Sequence, residues 1–107
     1  IPAMLIAIDS LELVEKATGA AGGLKQARAS VDADPNDLAA RQELALALFA
    51  TGEQAESMEQ LLESIRIDRA WNDEAARIQL LEFFKTIGPA NRDVMAARRK
   101  LSTLLFA

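Results

Sequence analysis

Arg66 to Gly88 reads RIDRAWNDEAARIQLLEFFKTIG and holds the only tryptophan, a helix start, the densest apolar stripe and a helix-stopping glycine. Asn72 or Asp73 can accept the free N–H groups of a first turn, and Trp71 just before them is placed to pack against it. Ile78, Leu80, Leu81, Phe83, Phe84 and Ile87 make the following helix apolar over most of its circumference, so it is expected at the centre of the fold. Gly88-Pro89 closes it, because glycine tolerates the left-handed turn and proline cannot continue a helix. The stretch therefore reads as the joint between two helical hairpins.

On the amino-terminal side the same helical grammar recurs. Leu5, Ile8, Leu11 or Leu13, and Val14 are spaced for a first helix over 3–18, and Ala20 to Gly23 break it. A second, shorter helix is expected from about Gly23 to Ala33, with Leu24, Ala27 and Val31 on one face. Asp34-Pro35-Asn36-Asp37 then starts a third, with Asp34 as cap, Pro35 in the first helical position and Asp37 adding negative charge to the first turn. Its stripe is Leu38, Leu44, Ala45 and Leu48, while Leu46 and Phe49 lie off it, and Gly52 stops it. A fourth helix over Glu53 to Ile67 turns Met58, Leu61, Leu62 and Ile65 inward and presents Glu53, Glu56, Glu59 and Glu63 as a solvated acidic row. The sixth, from about Asn91 to Phe106, buries Val94, Ala97 or Met95, Leu101, Leu104 and Leu105.

Composition agrees with an all-α chain. Half of the 107 residues are apolar, chiefly Ala and Leu, and β-branched residues are sparse. The length is that of one domain, able to bury roughly 65% of its unfolded surface. Without cysteine or histidine there are no disulfides, no thiolate chemistry and no ordinary zinc site. A net charge of −4 speaks against phosphate-backbone binding, so nucleic acid is not an expected partner. No run approaches the ~20 apolar residues of a membrane span, and neither a membrane nor a cofactor is expected. The start at Ile1 is read as that of a fragment of a longer, cytoplasmic polypeptide.

Leu44-Ala45-x-x-Leu48-x-x-x-Gly52 recurs as Leu80-Leu81-x-x-Phe84-x-x-x-Gly88, thirty-six positions on, and Met58 and Ile65 map with the same offset onto Val94 and Leu101. This pattern resembles the tetratricopeptide repeat. The match is degenerate: Ser57 and Ser64 stand where that repeat prefers alanine, and Arg41 and Arg77 where it prefers an early aromatic. The implied fold is about six helices in three antiparallel hairpins, a short right-handed stack in a single domain over 1–107.

A narrower resemblance lies in R-x-D-R-A-W-N-D-E-A-A-R-x-Q-L-L-E-F-F-x-x-I-G-P followed by V-x-x-x-R-R-x-L-x-x-L-L-F. It rests on Arg66, Asp68, Arg69, Trp71, Asn72, Asp73, Arg77, Leu80, Leu81, Phe84, Gly88, Val94, Arg98, Arg99, Leu101, Leu104, Leu105 and Phe106, with Asp34-Pro35 and Leu44 to Gly52 in support. Together these resemble the carboxy-terminal tetratricopeptide-like region of bacterial thioredoxin-domain co-chaperones, the chaperedoxins, over about residues 22–107. The resemblance implies a thioredoxin-like domain upstream, and association with an Hsp70-type chaperone, the chaperonin and unfolded clients. The C-x-x-C of a redox centre is missing from these residues.

The candidate sites are surfaces. The phase set by Gly52 places Leu46 and Phe49 on the concave face of the stack, with Gln79, Glu82 and Lys85 at related places in the next hairpin, a groove suited to an extended or helical partner segment. The first hairpin or an upstream domain could instead cover it. The cluster of Lys and Asn by which related eukaryotic co-chaperones hold a terminal carboxylate is missing from this groove. Arg92, Arg98, Arg99 and Lys100 form a basic patch that could meet an acidic partner or simply be solvated. Trp71 reads as a staple or an interface anchor, and Asp68, Arg69, Asp73 and Arg77 as a network fixing the angle between hairpins or as a recognition site. The expected function is protein docking without catalysis; the alternatives are a generic scaffold or oligomerisation module, and an enzyme in which Glu43 and Glu82 converge in a cleft.

Overall fold

A computed structural model describes residues 23–106, and within them every regular element is helical. The helices are α1 (23–33), α2 (Leu38–Ala50), α3 (Gln54–Asp68), α4 (Trp71–Ile87) and α5 (Arg92–Phe106). α2 with α3 and α4 with α5 are the two helix pairs written by the thirty-six-residue repeat; α2 packs closely on α3, whereas α4 and α5 each pack on α3 rather than closely on one another. α1 matches the expected second helix; the helix expected over 3–18 lies outside the described residues.

Local chemistry explains most boundaries and corrects one. The cap of α2 is Asp37, whose side chain accepts from the Ala40 N–H at 3.0 Å. Asp34 instead accepts from the Asn36 N–H at 3.1 Å and closes a turn over Pro35-Asn36, so proline lies ahead of the helix rather than in its first position. In a D-P-N-D run both aspartates can accept from an N–H two or three residues on, and the second one wins the cap. Gly52 and Gly88 adopt φ of 91° and 110°, the left-handed region that ends α2 and α4. Asn91 caps α5 by accepting from Asp93 and Val94 at 2.8 and 3.1 Å.

The joint between hairpins departs further from expectation. Neither Asn72 nor Asp73 caps α4; together with Glu74 they occupy the left-handed region, with φ of 49°, 55° and 63°. Only Arg69 and Ala70 separate α3 from α4, and a left-handed turn re-aims the chain within that short span. The conformation costs roughly 1–2 kcal/mol per residue for ordinary side chains and less for Asn and Asp. Glu74 is held in place by its ion pair with Arg77, at 3.2 Å. The right-handed portion of α4 begins after it.

α3, rather than α4, is the centre. It packs against α2, α4 and α5. Its Met58, Leu61, Leu62 and Ile65 join Ala45 of α2, Ala76, Leu80, Phe83 and Phe84 of α4, and Val94, Ala97 and Leu101 of α5 in one core. A smaller cluster joins Ala27 and Val31 of α1 to Ala40, Leu44 and Leu48 of α2. The all-round apolar character of α4 misleads because Ile78 and Leu81 are 54% and 44% exposed. On α5, Ala97 is buried and Met95 is not.

Three small residues let α3 approach its neighbours. Ala45, Ser57 and Ser64 are all 0% exposed. The Ser57 hydroxyl donates to the Ala45 carbonyl at 2.7 Å, tying α3 to α2. Among the described residues Ser64 Oγ is buried without a partner, a cost of about 1–3 kcal/mol for an unsatisfied hydroxyl. Ser64→Ala should therefore raise stability by about 1 kcal/mol, whereas Ser57→Ala loses a hydrogen bond worth about 1 kcal/mol, offset in part by alanine's helix propensity. Urea unfolding of both variants checks the order; Ser57→Ala as the more stable of the two contradicts it.

Candidate functional site

α2 and α4 meet through side chains. Gln42 Nε2 donates to the Ala75 carbonyl at 3.4 Å, and the Phe49 and Phe83 rings stack with centroids 4.1 Å apart and planes 3° from parallel. The stack changes the reading of Phe49, which is half-buried, with one face of its ring taken up by α4 and unavailable to a partner. Leu46 remains open, 44% exposed on a helix whose other leucines are buried. Across on α4, Glu82 and Lys85 are exposed and Gln79 is half-buried. In the repeat register Leu46 corresponds to Glu82 and Phe49 to Lys85, so this face is apolar on α2 and charged on α4. Leu46, with Gly23, Glu43 and Ala47, also lines a groove of about 310 Å³ between the start of α1 and α2.

The acidic row of α3 is not merely solvated. Glu56 pairs with Arg28 of α1 at 2.9 Å, Glu59 with Lys100 of α5, and Glu63 with Arg66 one turn on, whose Nε donates to both carboxylate oxygens at 2.9 Å. Two of these pairs cross between helices and reinforce the stack. Leu62 and Leu104 floor a second groove of about 300 Å³ between α3 and α5, edged by Glu59, Glu63, Arg66 and Lys100. Lys100 of the expected basic patch thus carries an ion pair, and it is exposed together with Arg92, Arg98 and Arg99.

At the joint, Asp68 accepts from the Ala70 N–H at 3.1 Å and Arg69 Nη1 donates to the Leu105 carbonyl at 3.2 Å, fixing the end of α5. Arg77 pairs with Glu74 rather than Asp73. Trp71 is half-buried. Arg41 is 7% exposed; it donates to the Pro35 carbonyl at 2.6 Å and to Gln60 Oε1 at 2.7 Å, tying the α1–α2 turn to α3. Sequence reasoning registered Arg41 only as a missing aromatic; its sole signal was a cation in the middle of an apolar stripe. Glu43 and Glu82 are both exposed on different helices, and the groove lined by Glu43 does not include Glu82. No described helix is long and apolar enough to cross a membrane.

The hairpin period and its glycine-closed turns agree with the comparison to known families, in which the tetratricopeptide repeat model matches residues 17–106. The chain belongs to the tetratricopeptide repeat family. No curated protein and no solved structure matches it significantly. Tetratricopeptide hairpins serve as protein-binding scaffolds, and the surfaces above are of that kind, open apolar side chains among charges.

The Arg66 hydrogen bond, together with its charge, holds the Glu63 carboxyl below the ordinary value near 4.5. A depressed carboxyl stabilises the fold above its unfolded pKa and loses that contribution as pH falls through the folded one. Arg66→Ala should thus be slightly less stable than the parent at neutral pH, and the gap should close as pH falls below the ordinary carboxylate range. Both side chains are largely solvent-exposed, so the gap is small. Denaturant unfolding across this range checks the convergence; a constant gap contradicts it.

Proposed function

We propose that this chain is the docking region of a thioredoxin-like co-chaperone of the chaperedoxin type, engaging an Hsp70-type chaperone, the chaperonin or unfolded clients in the bacterial cytoplasm. The observation that carries the reading is the open face of α2 and α4. Leu46 is a large apolar side chain left accessible in a groove with Gly23, Glu43 and Ala47, and Gln79, Glu82 and Lys85 stand at the related positions of α4. Such a face suits an amphipathic or extended segment, whose apolar side chain covers Leu46 while its polar groups meet the charges of α4.

Membership in the tetratricopeptide family supports protein binding, and the pattern over Arg66 to Phe106 supports the co-chaperone assignment. On this reading residues 1–107 form one helical domain of a longer polypeptide. The thioredoxin-like domain upstream would supply any redox chemistry and pack on this one, and the helices would dock rather than catalyse.

The test is binding of purified Hsp70-type chaperone, chaperonin and a chemically unfolded client to the immobilised chain, beside Leu46→Glu. Phe49 is left unchanged because its ring is part of the stack with Phe83. A charge at the centre of an apolar contact typically costs at least about 2 kcal/mol, so at least roughly tenfold weaker binding is expected, with an unchanged helical circular dichroism spectrum. Equal binding by parent and variant, or binding of none of the three proteins by the parent, contradicts the proposal.

A further inference from the structure

α1 is written like α3. Shifted by thirty-four positions, Gly23, Leu24, Ala27 and Val31 fall on Ser57, Met58, Leu61 and Ile65, a small residue and three core residues of α3. α1 therefore has the character of the second helix of a pair, whose first helix has to come from the residues before it. On α3 the position of Ser57 is sealed by its own first helix, since Ser57 is 0% exposed and donates to the Ala45 carbonyl of α2. On α1 the same position is open. A Cβ added at Gly23 would meet no neighbouring element within 4 Å among the described residues, and Gly23 lines the groove of about 310 Å³ that holds Glu43, Leu46 and Ala47. Leu24 is only half-buried where Met58 is 1% exposed.

The chain itself holds an occupant of matching pattern and reach. The same shift carries Ala45 back to Leu11, which precedes Gly23 by twelve residues as Ala45 precedes Ser57. A leucine is thus set opposite a glycine where α2 sets an alanine opposite a serine, the larger side chain meeting the smaller partner. Gly19 falls one place beyond the position of Gly52, which turns α2 into α3. Leu5, Ile8, Leu11, Leu13 and Val14 supply an apolar stripe whose burial is favourable. We infer that residues 3–18 pack as a helix into the groove at Gly23 and cover Leu46. On the docking reading above, on which this consequence rests, the segment is a built-in competitor that a partner has to displace. A second copy could bring the same stripe only at the cost of association, whereas residues 19–22 tether this one to the rim of the groove.

The chain has no cysteine, so a single thiol reports on one position of the whole protein. Leu46→Cys is treated with a fluorescent maleimide, alone and combined with Leu11→Asp and Val14→Asp, which interrupt the stripe. Ile78→Cys, on a residue 54% exposed on α4, serves as the control thiol in both backgrounds. The thiol at position 46 should react at least roughly tenfold faster once the stripe is interrupted, a covering free energy of about 1.4 kcal/mol, while the thiol at position 78 keeps its rate. Equal rates at position 46 in the two backgrounds overturn the inference. Equal acceleration at both positions also overturns it, because the segment would then support the whole fold rather than cover this groove. So does protection at position 46 that grows with protein concentration, since the occupant would then be a second copy. No partner protein enters this measurement, so its failure leaves the docking reading standing, and failure of the chaperone-binding test leaves the protection at position 46 in place.

Discussion

α3 must lie against three helices at once, and the rest of the fold follows from how it does so. A helix with large side chains all round would hold its neighbours at the far end of the usual 8–10 Å separation. Ser57 and Ser64 on α3 and Ala45 on α2 remove that bulk where the backbones approach, and Leu61, Met58 and Ile65 fill the remaining space. Ser57 adds direction through its bond to the Ala45 carbonyl. Glu56 and Glu59 then reach from the exposed side of α3 to α1 and α5, so the central helix is joined to its neighbours by packing on one side and by ion pairs on the other.

That arrangement decides which surfaces are left open. Leu46 stays accessible because α2 turns its other leucines to α1 and α3 and its Phe49 to α4. Ile78 and Leu81 of α4 and Met95 of α5 also stay accessible, while Leu80, Phe83, Phe84, Val94 and Ala97 are turned into the core. Lys100 pairs with Glu59 at the surface, and Arg92, Arg98 and Arg99 are exposed with it. Open apolar side chains are thus found on α2, α4 and α5.

Much of this was legible in the sequence because the repeat is written in residues whose roles are steric. Gly52 and Gly88 marked the hairpin turns, and the leucine spacing gave α2, α3 and α5 nearly to their ends. Local competition was harder to read. D-P-N-D contains two aspartates able to cap, and only the backbone path settles on Asp37. The W-N-D-E run looked like an ordinary helix start, yet the two-residue connection forces Asn72, Asp73 and Glu74 into left-handed backbone. For the candidate sites, exposure of Leu46 followed from its displacement off the stripe. The stacking of Phe49 on Phe83 and the pairing of Lys100 with Glu59 depend on neighbours thirty or more positions away, which no local pattern encodes.

The claim that α3 rather than α4 is the structural hub is tested most directly by amide hydrogen exchange along the whole chain. Exchange of the most protected amides requires opening of the most cooperatively packed element. The slowest amides are expected in α3 around Leu61 and Ile65, with those of residues 72–74 exchanging early because they lie in the left-handed turn. Slowest exchange in α4, with protection extending through Asn72 and Asp73, would contradict it and return the centre of the fold to the apolar helix that begins at Trp71.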